Sequence, residues 1–91
     1  MTTHEHVTLS DSAATLVTTP GIHSGADVTI QNIDETAIVY VGGSGVTASN
    51  YGFKLSPGTA ISFELPPKDA IFCISDTDTS KVAVLQIGLE D

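Results

Sequence analysis

Tryptophan and arginine are missing from this chain, cysteine occurs once, and three lysines stand against eleven acidic residues. Each shortage removes a class of function. A single cysteine leaves no intramolecular disulfide and no cysteine-rich zinc site. Cys73 lies inside the apolar run AIFCIS (70–75), where an inert buried thiol is expected rather than a nucleophile. At a net charge of −8 the chain lacks the cations needed to bind nucleic acid by phosphate neutralisation. A polybasic membrane contact falls on the same ground. No apolar stretch approaches the ~20 residues of a membrane helix. The opening MTTHEHVTLS has neither the basic stretch nor the apolar core of a secretory signal, so a cytoplasmic start without secretion is expected.

What remains is 91 residues and 9.4 kDa, the size of one domain spanning 1–91. Hydrophobic residues make up 41%, mean hydropathy is +0.20, and only 15% of residues are charged. A small chain so poor in charge is expected to cover part of its surface against neighbours, as an oligomer or a docked subunit. The acidic excess reads first as solubility and second as a face for a basic partner.

The apolar pattern alternates along most of the chain. HVTLS (6–10) and ATLVTT (14–19) read as strands, followed by a turn at Pro20-Gly21. ADVTIQNI (26–33) places Val28, Ile30 and Ile33 inward, and Asp34-Glu35 turns the chain. TAIVYV (36–41) is continuous enough for a strand covered on both faces. GFKLS (52–56) leads into the turn signal Pro57-Gly58, and TAISFEL (59–65) puts Ile61, Phe63 and Leu65 on one face. Pro66-Pro67-Lys68-Asp69 breaks the chain before AIFCIS, and KVAVLQIGL (81–89) closes it. The only helix signal, a cap at Ser10 or Asp11 before Ala13-Ala14, is opposed by the Thr and Val that follow. Seven to eight short strands predict an all-β fold, a small antiparallel β-sandwich or jelly-roll-like barrel.

Four motifs invite a chemical reading. Gly42-Gly43-Ser44-Gly45 lacks the lysine of a phosphate loop, the third glycine of a dinucleotide loop (Ala48 holds that place) and the second glycine of a nucleophile elbow (Val46). The expected role is a tight strand corner where glycine supplies positive φ. His4-Glu5-His6 puts two imidazoles on one side of an extended strand, but His23 is remote, and a frayed N-terminus with incidental histidines is expected. Two imidazoles on one side can share a metal ion, and across a subunit axis such a pair could still gather one. Asp76-Thr77-Asp78-Thr79-Ser80 begins like a calcium loop, yet Lys81 and Ile87 stand where glycine and glutamate are required, so an Asx-rich hairpin turn is expected. Ser, His and Asp occur without spacing that supports a hydrolytic triad. Tyr40, Tyr51, Phe53, Phe63 and Phe72 read as core more than as a sugar platform, with aromatics at 5%. No catalytic residue, cofactor or metal is expected.

The segment VYVGGSGVTASNYGFKLSPGTAISFEL (39–65) resembles a recurring module of small tailed-bacteriophage virion proteins. In that module a strand ending Tyr-Val-Gly-Gly precedes Val-Thr-x-Ser-Asn. A Gly-aromatic piece, a Pro-Gly turn and an alternating strand follow. VTIQNIDETAIVYVGG upstream and DAIFCISDTDTSKVAVLQIG downstream fit as well, so the resemblance covers about 26–88. It implies a structural role among head decoration, head fibre or minor tail proteins, and no catalytic residue. The first expectation is a capsid decoration (cement) protein, a homotrimer on the outer head surface whose partner is the major capsid protein. Residues 1–19 are expected as the contacting arm, with His6, Val7, Thr8, Leu9, Thr15 and Val17 at the interface. Its rivals are a tail or baseplate subunit and a small carbohydrate- or host-surface-binding module exposing Tyr40, Tyr51 and Phe53.

Overall fold

A computed structural model of the protein describes residues 2–18, 26–65 and 69–87. These residues form eight strands and no helix: β1 (Thr3–Thr8), β2 (Thr15–Leu16), β3 (Ala26–Asn32), β4 (Val39–Gly42), β5 (Phe53–Leu55), β6 (Ala60–Leu65), β7 (Phe72–Ser75) and β8 (Lys81–Ile87). Sheet A runs β1-β8-β3-β6 and sheet B runs β2-β7-β4-β5, all neighbours antiparallel. The chain is a small all-β sandwich. β1 pairs with β8, β2 with β7, β3 with β6 and β4 with β5, as if one long hairpin were folded over on itself. That connectivity is a jelly roll.

Register settles which side of each strand is core. In sheet A, Val28 and Ile30 of β3 line up with Gln86 and Val84 of β8 and with Phe63 and Ile61 of β6. They face Val39, Val41, Leu55 and Cys73 of sheet B, and Leu9, Val17, Leu65 and Val82 complete the buried cluster. A fully buried Val, Leu or Ile is worth about 1.5–3 kcal/mol. The alternation expected over β6 is present, with Ser62 and Glu64 outward. The expectation for Ile33 is corrected. It is 38% exposed, and Asn32 continues the inward alternation of Val28 and Ile30.

Asn32 is accepted in the interior because all its polar atoms are used. Its Nδ2 donates to the carbonyls of Ala37 (2.8 Å) and Leu55 (3.1 Å), and its Oδ1 accepts from Asp34 N–H at 3.0 Å. Leu55 belongs to the opposite sheet, so one amide ties A to B. The chain then crosses between sheets through an Asx turn in which Asp34 Oδ1 accepts from the N–H groups of Thr36 and Ala37, each at 3.0 Å.

The turns follow local chemistry. Ser56-Pro57-Gly58-Thr59 is a type II turn, with Thr59 N–H on Ser56 C=O at 3.0 Å and Gly58 at φ 80°. The Asp76–Ser80 stretch, expected as an Asx-rich hairpin turn, instead carries the chain from β7 in sheet B to β8 in sheet A: Asp76 Oδ1 accepts from the distant Ile38 N–H at 2.9 Å, and the local cap is Ser75 Oγ, which accepts from Thr77 N–H at 3.1 Å. The N-terminal segment is woven into both sheets. β1 pairs along its whole length with β8, which corrects the frayed terminus, while Val17 N–H continues β2 by reaching Ile71 C=O at 3.0 Å. The Pro20-Gly21 turn, His23, Pro66-Pro67-Lys68 and residues 88–89 of the last expected strand lie outside the described residues.

Candidate functional site

The glycine corner joins β4 to β5 by two successive turns. Val46 N–H reaches Gly43 C=O at 3.0 Å, and Thr47 and Asn50 then close on each other through paired backbone bonds of 2.8 and 3.2 Å. Thr47 Oγ1 also accepts from Asn50 N–H at 3.0 Å. The expected positive φ is not what these glycines provide. Among the described glycines only Gly58 adopts it. Gly42 makes a close approach, since a Cβ there would lie 3.2 Å from the Val46 side chain, tighter than ordinary contact, whereas Gly43 and Gly45 border open space.

The corner encloses an open concavity of about 360 Å³ lined by Gly42, Gly43, Gly45, Val46, Asn50, Tyr51 and Gly52. Its lining carries no ionisable group except the Tyr51 phenol. Tyr51 is 43% exposed and folds onto Tyr40, ring centroids 4.8 Å apart at 44°; nearby Phe53 is 45% exposed. An uncharged lining beside exposed rings suits neutral ligands and offers no cationic side chain to a phosphate.

The second candidate is the outward side of sheet A. Leu85 and Ile87 on β8 are 38% and 47% exposed, with Ala83 beside them, although β8 lies inside the sheet between β1 and β3. Across from them stand His4 and His6 on β1 and Asp27, Thr29 and Gln31 on β3. Asp27 in turn lies directly opposite Glu64 of β6, so like charges adjoin at one end of the apolar strip.

The six N-terminal residues expected at an interface divide between two environments. His6 and Thr8 are exposed on the outward face of β1, opposite Ala83 and Lys81. Val7 is half-buried against the core and Thr15 half-buried opposite Cys73. Leu9 and Val17 are fully buried members of the chain's own core, so their side chains are spent on packing within one subunit. Burial pushes the Cys73 thiol up to about 12, which keeps it protonated and inert. The outward strip of β8 escaped sequence reasoning because Val82, Val84 and Ala83, Leu85, Ile87 are apolar on both alternations. Its pairing register alone separates them. No protein-family model, no curated protein and no solved structure matches this chain.

Proposed function

We propose that this protein is a non-enzymatic structural subunit of a tailed-phage virion, and specifically a capsid decoration protein. On this reading a trimer sits on the outer head surface, binds the major capsid protein and stabilises the shell. The observation that carries it is the outward strip of Ala83, Leu85 and Ile87 on an interior strand of sheet A. A small chain exposes such a strip where a neighbour covers it. The Asp27–Glu64 pair at its end calls for a basic group from the partner. The phage-like segment 39–65 spans β4, the glycine corner, β5, the type II turn and β6, and so links both sheets. Jelly rolls recur in viral capsid domains, and cement-type stabilisation comes from modest buried areas multiplied over many copies.

The test is light scattering of the purified protein, alone and mixed with empty capsid shells, followed by sedimentation. A trimer that sediments with shells, and a folded Leu85→Glu variant that does not, is the expected result. A monomer that ignores shells and co-purifies with tails would move the role to tail or baseplate.

One observation favours a second reading, a carbohydrate- or host-surface-binding module. Exposed Tyr51 and Phe53 adjoin the uncharged concavity of the glycine corner, and jelly rolls also serve as lectin domains. With no tryptophan in the chain, tyrosine fluorescence reports directly on Tyr40 and Tyr51. A glycan that quenches it, identified on an array, would carry this reading.

A further inference from the structure

Side chains two apart on a strand project from the same face, their Cα atoms about 7 Å apart. Because β1 is paired with β8 along its whole length, His4 and His6 are held in that arrangement, opposite Leu85 and Ala83. One strand further on, β3 presents Thr29 beside Leu85 and Gln31 beside Ala83. The row His6–Ala83–Gln31 therefore sets a single methyl between two long polar side chains. The gap is a groove of about 250 Å³, with His4 and His6 on one wall, Thr29 and Gln31 on the other, and Ala83 and Leu85 as its floor. Both imidazoles are exposed, and neither has a hydrogen-bond partner among the described residues. The far wall is already oriented: Thr29 Oγ1 and Ser62 Oγ share a hydrogen bond of 2.8 Å, and Gln31 Nε2 donates to Gly58 C=O at 3.4 Å. Gln31 Oε1 keeps its acceptor capacity.

We propose that His4 and His6 form a chelating site for one divalent transition-metal ion of the zinc or nickel type. Imidazole nitrogens select these ions, whereas calcium and magnesium demand oxygen donors. Water completes the coordination, and Thr29 and Gln31 hydrogen-bond that water from the facing wall, the orienting role that outer groups play around metals. With two protein ligands the site is open and exchangeable, unlike a closed four-ligand structural site. Nothing else competes for the ion by design: among the described residues no three or more His, Cys, Asp or Glu side chains gather, and Cys73 is buried. The site belongs to the single chain and does not depend on any virion role.

The experiment is calorimetric titration of Zn²⁺, and separately Ni²⁺, into the full-length, tag-free protein, with the histidine ring resonances followed by NMR. One ion per chain is expected, with shifts on the rings of His4 and His6. His4→Gln and His6→Gln should each weaken binding at least about tenfold, since loss of a mere outer-shell group already costs 10–100-fold. The double variant should abolish it, His23→Gln should retain it, and Mg²⁺ should give no heat. Absence of binding, binding that survives the double substitution, or ring shifts confined to His23 would overturn the site. The ring shifts are read on the unmodified protein, so they test the site even where a variant folds poorly.

Discussion

The two outward faces of this sandwich carry apolar residues in similar positions and treat them differently. On sheet B, Tyr40 lies opposite Ile74, and Leu16 opposite Phe72. There Ile74 is only 5% exposed, Leu16, Tyr40 and Phe72 are half-buried, and Tyr51 is folded over Tyr40 by the glycine corner. On sheet A the equivalent strip on β8 remains open, with Leu85 38% and Ile87 47% exposed. The chain thus covers the strands of one face with Tyr51, a ring itself 43% exposed, and leaves the apolar strip of the other face open. This contrast also answers what the glycine cluster is for. Gly42 lets β4 pass close to Val46, and the two turns that follow swing Tyr51 back onto the outer surface of β4.

The same charge placed on each face should have very different consequences. Ile74→Asp buries a carboxylate without a partner and should cost about 4 kcal/mol, enough to unfold a domain of ordinary marginal stability. Leu85→Asp should cost less than about 1 kcal/mol, as a substitution at an open position. Urea unfolding of the two variants decides it. Equal penalties would mean that sheet A is closed within the chain after all.

That contrast is only partly legible in the amino-acid order. Elements set by local chemistry are legible: the alternation of β6, the Pro57-Gly58 turn and the all-β class. What depends on pairing is not. In β8 both alternations are apolar, so Gln86 goes inward opposite Val28 while Leu85 and Ile87 go out, a choice made by register with β3. At the end of β3 hydropathy favours Ile33 for the interior, yet Asn32 takes that place, because three hydrogen bonds, two to the turn that follows and one to β5, meet on its amide. His4 and His6 read as a loose end because nothing within MTTHEH announces that its partner strand is β8, at the far end of the chain. The glycine cluster suggests positive φ, whereas one of its members serves steric approach and two serve neither.

A smaller effect sharpens the contrast from the closed side. Tyr51→Ala removes the ring laid on Tyr40 and should cost about 1 kcal/mol, the scale of an aromatic pair. It should also make the remaining Tyr40 fluorescence more accessible to a soluble quencher, turning face B partway into a second face A. Unchanged stability together with unchanged quenching would show that the corner does not close sheet B.

The smallest effect concerns the joint between the two faces, where Asp34 carries the chain out of β3 and toward β4. Hydrogen bonds from the backbone N–H of Thr36 first, then of Ala37, hold its carboxyl below the ordinary value of 3.8. A carboxylate favoured in the folded state contributes stability that is fully present above the unfolded value, and that contribution is lost as pH falls through the lowered folded value. Asp34→Ala should therefore be less stable than the parent at pH 7, and the gap should close on acidification below the ordinary carboxylate range rather than between pH 7 and 5. Amide exchange adds a local readout: protection at Thr36 and Ala37 should fall over the same acid range in the parent and be absent throughout in the variant. A gap that is constant with pH would mean that the turn is held by the shape of the crossover and that the carboxylate contributes no charge-dependent support to the link between the covered face and the open one.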